Sequence, residues 1–170
     1  MEGILYICPT PIGNLEDITL RTLRTLEEVD LIAAEDTRHS IKLLNHYEIK
    51  KPMISYHEHN KITKGDIIIE KLIEGKNIAL ITDAGMPGIS DPGEDIIKLA
   101  IEKDIEIVAL PGPTAAITAL ILSGLSTRRF VFEGFLPSKK KDRITALERL
   151  KLEERTIILY EAPHRILELL

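Results

Sequence analysis

The chain has 170 residues, a formal net charge of −5, 44% hydrophobic residues, no Trp and one Cys. That is one large domain, or one domain and part of another, with ample apolar content for an aliphatic core. No apolar run reaches the roughly 18–20 residues that span a bilayer, residues 1–8 have no basic start or cleavage site, and a lone Cys8 excludes an internal disulfide. A cytoplasmic protein is expected.

In chain order, residues 4–8 form a first apolar strand that runs into Pro9-Thr10-Pro11-Ile12-Gly13-Asn14. Asp17 can cap a helix with Leu20, Leu23 and Leu26 on one face. Residues 31–34 are a second strand ending in Glu35-Asp36-Thr37-Arg38, followed by a short helix with Ile41 and Leu44. Residues 52–56 are a third strand ending in His57-Glu58-His59-Asn60. A helix over 63–74, with Ile67, Ile68 and Leu72 inward, is closed by Gly75. Strand 78–81 enters Thr82-Asp83-Ala84-Gly85-Met86-Pro87-Gly88-Ile89-Ser90-Asp91-Pro92-Gly93. A helix from Glu94 to Lys103 turns Ile97, Ala100 and Ile101 inward. Strand 105–110 leads through Pro111-Gly112-Pro113 to a helix over 114–123, whose small apolar face suggests close packing on the sheet.

Strand and helix thus alternate through residue 125, which predicts an α/β domain with a mostly parallel sheet covered by helices on both faces. A second α/β unit starts at 128: strand 130–133, loop 134–138, helix 141–150, strand 156–160 and the loop Glu161-Ala162-Pro163-His164-Arg165. Over 128–170 it buries little apolar surface and reads as the incomplete start of a domain. Charge follows the division. Residues 1–127 balance to −8 and residues 128–170 to +3, with a basic group at Arg128-Arg129, Lys139-Lys140-Lys141 and Arg143.

Six of nine prolines and five of ten glycines lie in the loops after the first, fourth and fifth strands. Ordinary turns would scatter them, so the clustering favours one shaped cleft at the carboxyl ends of parallel strands, where open α/β sheets hold ligands. There is no GxxxxGK[ST] and no GxGxxG, which argues against a pyrophosphate cradle and for an uncharged or zwitterionic ligand. Asp83 can accept from an ammonium or a ribose hydroxyl, or merely cap a turn. Glu35, Asp36 and Arg38 can position a polar substrate or move a proton, or form a local ion pair. His57 and His59 share a strand face and can serve as bases or meet RNA phosphate; with no third ligand in view, they are at most half a metal site. Arg165, after Pro163, can bind phosphate at a helix N-terminus.

Together these stretches resemble the tetrapyrrole methylase superfamily, most closely its branch that modifies ribosomal RNA. The carriers are Thr10 to Leu15 with Asp17-Ile18, Ala34 to Arg38, Ser55 to Asn60, Thr82 to Gly93, Pro111 to Ala115, Phe132 to Pro137 and Tyr160 to Arg165, in order along the whole chain. The resemblance implies S-adenosylmethionine as methyl donor, no metal, and 2′-O-methylation of a cytidine in the 16S rRNA of the 30S subunit. It also implies two α/β domains with the donor between them and a homodimer, with no role for membrane or DNA. It carries donor contacts onto Pro11, Asp83, Met86, Thr114 and Ala115, and onto Tyr160 or Glu161 in the second domain. The base, or the residue that orients the hydroxyl, is sought among Glu35, Asp36, His57 and His59, with Arg38, Asn14 and Arg165 toward RNA. Asn14 stands where a tetrapyrrole C-methylase would carry an acid. Members of the superfamily run beyond residue 170, so a non-catalytic remnant that binds donor or RNA is the competing reading. A magnesium phosphotransferase using Asp36, Asp83 and Asp91 is a third.

Overall fold

The computed structural model describes residues 2–169. Five short strands, β1 (Leu5–Ile7), β2 (Leu31–Ala34), β3 (Met53–Ser55), β4 (Ile78–Ile81) and β5 (Ile107–Ala109), pair in the order β3-β2-β4-β1-β5. All four pairings are parallel; Leu5, for example, sits opposite Ile78 on one side and Ile107 on the other. Helices α1 (Leu20–Glu28), α2 (Thr37–His46), α3 (Lys61–Ile73) and α4 (Gly93–Glu102) make the connections. The expected parallel sheet covered on both faces is what forms.

The reason is strand periodicity. Successive side chains point to opposite faces. Leu5, Ile7, Ala33, Ile78 and Leu80 pack with Ile68, Ile69 and Leu72 of α3 and with Ile96 and Ala100 of α4. Cys8, Ile32, Ala34, Ala79 and Ile81 face the other way, onto Leu26 of α1 and Leu44 of α2. Fully burying one such aliphatic side chain is worth about 1.5–3 kcal/mol, so β4, buried along its whole length, anchors the unit.

Helix ends obey local chemistry, with two departures from expectation. Asp17 does not cap α1. It closes a 3₁₀ turn, Leu15–Asp17, that Asn14 caps by accepting from Glu16 N at 3.1 Å. Thr19 caps α1 instead, accepting from Thr22 N at 3.0 Å. Starting there, the helix turns Leu20 outward, 85% exposed, and buries Thr22, Thr25 and Leu26. Ile101 of α4 also faces solvent, because Ile96 and Ala100 take the inward stripe. Gly75 ends α3 as expected: with φ +91, its N–H reaches Leu72 O and Lys76 N–H reaches Lys71 O. This pairing satisfies the orphan carbonyls and needs a left-handed residue.

Inside α3, Gly65 is a different case. An added Cβ would meet only Leu99, Ile96 and Tyr56 side chains at 3.8–3.9 Å, ordinary contact distances. Gly65→Ala is expected to raise stability by about 0.5–1 kcal/mol, read as a higher denaturation midpoint at unchanged m-value. A lower midpoint would show that the α3–α4 seam has no room.

The chain divides into two compact units, Met1–Thr114 and Ala115–Leu170. The second contains α5 (Ala115–Leu122), β6 (Phe130–Phe135), α6 (Lys140–Leu150), β7 (Thr156–Tyr160) and α7 (Ile166–Leu169), with β6 and β7 paired in parallel across a bulge at Glu133. The division lies ahead of the boundary expected after residue 125. Helix α5, expected against the first sheet, packs on β7. It buries Ala116 and Leu120 and leaves Ile121 and Leu122 largely exposed. A helix that is apolar all round has no polar face to show which side will be covered. Among the described residues, no helix is long and apolar enough to cross a membrane.

Candidate functional site

The carboxyl ends of β1, β4 and β5 lie side by side, so their loops meet. Thr10 and Gly85 exchange backbone hydrogen bonds, each 3.0 Å, and Thr10 Oγ1 donates to Thr82 O at 3.0 Å. Gly85 has φ +85, and a Cβ there would press Ile12 Cγ2 at 3.3 Å. A Cβ on Gly112 would come within 2.7 Å of Pro9 Cβ. Glycine is used here for close approach between loops. The three Gly/Pro loops therefore form one wall of the first unit.

The central loop is braced from within. Asp91 accepts from Gly88 N at 2.9 and 3.0 Å and from Gly93 N at 2.7 Å. Tyr56 Oη donates to Pro92 O at 3.1 Å, and Met86 packs on the core. Burial pushes the Asp91 carboxyl above its ordinary value, although these amides pull it back. Asp91 is a structural brace.

Because β2 neighbours β4, Glu35-Asp36 meets Thr82-Asp83. Thr82 Oγ1 donates to Glu35 Oε2 at 2.8 Å, and Asp36 N donates to Asp83 Oδ1 at 3.2 Å. Partial desolvation, then the charge of Glu35, push the Asp83 carboxyl upward. Two carboxylates sharing one polar edge favour a cationic ligand. Asp36 behaves differently. It caps α2 by accepting from Arg38 N at 2.8 Å and holds the Arg38 guanidinium through both oxygens, at 3.1 and 2.9 Å. Those bonds pull its carboxyl down to about 2. Asp36 and Arg38 form an exposed local pair, and a carboxylate held so low is a weak base at neutral pH.

A cavity of about 200 Å³ opens beside Asp83, between Pro11, Leu15 and the first turns of α2, where His39, Ser40, Lys42 and Leu43 line it. Those α2 residues escaped the sequence reading. The available signal was Ser40, a polar residue four before buried Leu44 and so on the same inward face. The charge of His39 also acts on Asp83.

His57 and His59 do not share a strand face as expected: the sheet-edge strand β3 ends at Ser55, and His59 lies in the turn that leads into α3, with the two ring centroids 6.0 Å apart. His57 is held by Asn60, whose Oδ1 accepts from His57 N at 2.9 Å and whose Nδ2 lies 3.1 Å from His57 Nε2. Asn60 Nδ2 also reaches Ser55 O and Oγ, both at 3.3 Å. His57 Nδ1 is enclosed with no hydrogen-bond partner. Among the described residues, no three His, Cys, Asp or Glu side chains are grouped as a metal site. Cys8 is fully buried, and burial pushes its thiol up to about 12, closing it to nucleophilic use.

Thr114 ends the first unit; the remaining candidates belong to the second. Ala115 opens α5, and Tyr160 Oη accepts from Ala116 N at 3.2 Å while its ring meets Phe132 and Phe135 edge-on. The Glu161 side chain is 4% exposed and lies 3.5 Å from Arg165 Nε, and Arg165 Nη1 donates to Ser138 Oγ at 3.5 Å.

The family model described as Tetrapyrrole (Corrin/Porphyrin) Methylases matches residues 4–170. The chain is 58% identical over 165 residues to the protein named Ribosomal RNA small subunit methyltransferase I of Synechocystis sp., covering 97% of this chain and 59% of that one. It is 58% identical over 170 residues to the protein of the same name from Haemophilus influenzae, covering 100% and 60%. The chain thus spans about three-fifths of the length of these relatives. Among solved structures, a diphthine synthase superimposes with TM-score 0.72 at 15% identity, over 94% of this chain and 65% of that one. A Thermus thermophilus uroporphyrin-III-C-methyltransferase does so with TM-score 0.59 at 22% identity, over 79% and 61%. At those identities, these two structures speak for the fold alone.

Proposed function

The chain belongs to the tetrapyrrole methylase family, and from that membership we propose that it serves S-adenosylmethionine-dependent 2′-O-methylation of a cytidine in the 16S rRNA of the 30S subunit, as a homodimer in the cytoplasm. The observation that carries this reading is the 58% identity, over nearly the whole chain, to relatives named for small-subunit rRNA methylation.

The first unit suits a cationic methyl donor. The Gly85 backbone, at positive φ and close against Ile12, supplies a close-approach surface, and Asp83 with Glu35 supplies the negative field. Pro11, Asp83, Met86 and Thr114 are the proposed contacts there, and Ala115, Tyr160 and Glu161 those of the second unit. Bound S-adenosylmethionine would supply a sulfonium methyl, so that the O–C bond forms as the C–S bond breaks and the hydroxyl proton leaves to a base. The protein's part is to align the hydroxyl and receive that proton. Glu35, His57 and His59 remain the proposed candidates; Asp36 is the weakest base of the four, because Arg38 pulls its carboxyl down to about 2. Arg38, Asn14 and Arg165 are proposed to face the RNA.

The test is transfer of labelled methyl from S-adenosylmethionine to 30S subunits that lack the modification, with corrinoid precursors as a parallel substrate. The expected outcome is label in 16S rRNA at one 2′-oxygen, mapped by a reverse-transcription stop. Label on the corrinoid alone would replace the rRNA reading, and label on neither would remove it.

A further inference from the structure

We propose that the cavity between Pro11, Leu15, Asp83 and α2 is the seat of an unstacked nucleobase of the RNA substrate, with Ser40 Oγ hydrogen-bonding the base edge and Lys42 at the mouth meeting backbone phosphate. This rests on the rRNA reading above and names the part of the site that would hold the nucleotide.

Three observations carry it. Ser40 is 2% exposed, its hydroxyl has no hydrogen-bond partner, and it lines the cavity. An enclosed hydroxyl left unpaired costs stability, and a ligand atom in the cavity would satisfy it. The walls fit a flat heterocycle. Pro11, Leu15 and Leu43 are apolar, while Ser40 can both donate and accept and Asp83 at the rim accepts, as a base edge with an amino group and a carbonyl requires. RNA is read most often in this way, through splayed bases stacked on side chains and bonded along their edges.

The third observation is charge. Helix α2 carries His39, Lys42 and His46, with Arg38 paired to its cap Asp36, and no acidic residue within its span, on a chain of net charge −5. Arg38, Lys42 and His46 recur every four residues and so share one exposed stripe. A basic helix beside an apolar cavity suits a polyanion that presents a base. The methyl donor is a poorer occupant, because Met86 and Thr114, its other proposed contacts in this unit, do not line the cavity.

The experiment measures equilibrium binding of unmethylated 16S rRNA fragments and of versions with their cytidines made abasic one at a time. Wild type, Ser40→Ala and Lys42→Gln are compared, with S-adenosylmethionine binding and thermal stability measured beside them. Wild type should lose affinity for one abasic RNA. Ser40→Ala should bind intact RNA about fivefold more weakly, one neutral hydrogen bond, yet bind that abasic RNA like wild type. It should keep wild-type donor affinity and unfold no more easily. Lys42→Gln should weaken every RNA alike and shallow the salt dependence by about one ion. Ser40→Ala binding intact RNA as wild type does, or losing equally on every RNA, would overturn the proposal, and loss of donor binding alone would give the cavity to the donor. Wild type failing to bind any of these RNAs would overturn the rRNA reading itself, and this inference with it.

Discussion

Asp83→Asn is expected to cut affinity for S-adenosylmethionine by about 10- to 100-fold while leaving the fold as stable as wild type or more so. The binding loss follows from trading a charge-assisted contact for a neutral one, worth about 1.5–3 kcal/mol. The stability effect has the opposite sign. Partial burial and the Glu35 carboxylate raise the Asp83 pKa, so folding favours its protonated form. Its ionised form therefore costs stability, and that cost grows as pH rises through the raised folded value. Asparagine removes it. Titration calorimetry with S-adenosylmethionine, and thermal unfolding on the acid side and at pH 7–8, check both halves. The advantage of Asp83→Asn over wild type should appear at neutral pH and vanish in acid. Wild-type affinity in the variant would show that Asp83 does not contact the donor.

Gly112→Ala is the second large effect. The new Cβ would lie 2.7 Å from Pro9 Cβ and 2.8 Å from Pro9 Cγ. A proline ring cannot swing aside as a long side chain can, so the first and fifth strand-end loops must separate. Overpacking of this kind costs about 1–3 kcal/mol. The same shift moves Pro113 away from Gly85, since Pro113 O lies 3.7 Å from where a Gly85 Cβ would be. Stability and donor affinity should fall together, with Gly65→Ala as the contrasting variant in which a methyl fits. A Gly112→Ala protein that unfolds and binds donor like wild type would show that the loops touch without mutual support.

The elements themselves were legible in the residues. The apolar runs at residues 4–8 and 78–81 name strands, and Gly75 names a helix end, because each pattern answers to forces acting within a few residues. The shared wall of Gly/Pro loops was legible too. Parallel strands joined by helices deliver all their carboxyl ends to one edge, so loops of one composition gather there.

Which partners each polar group takes within that edge was decided in three dimensions. Asp36 had equal claim to be a base or an ion-pair partner until the turn into α2 laid the Arg38 guanidinium across both its oxygens. Asp91 resembled a ligand and proved a brace, because its loop folds back to place two glycine amides on it. Asn14 caps the 3₁₀ turn, and Ser40, whose only local signal is its place on the inward face of α2, lines the cavity. The apolar helix α5 offers no face to choose between packing partners. Short-range patterning sets which residues become strand, helix or turn, whereas pairings such as Thr82 with Glu35, 47 positions apart, depend on the order β3-β2-β4-β1-β5. That order is selected by burying both faces of the sheet at once, an energy summed over the whole unit and carried by no single stretch of chain.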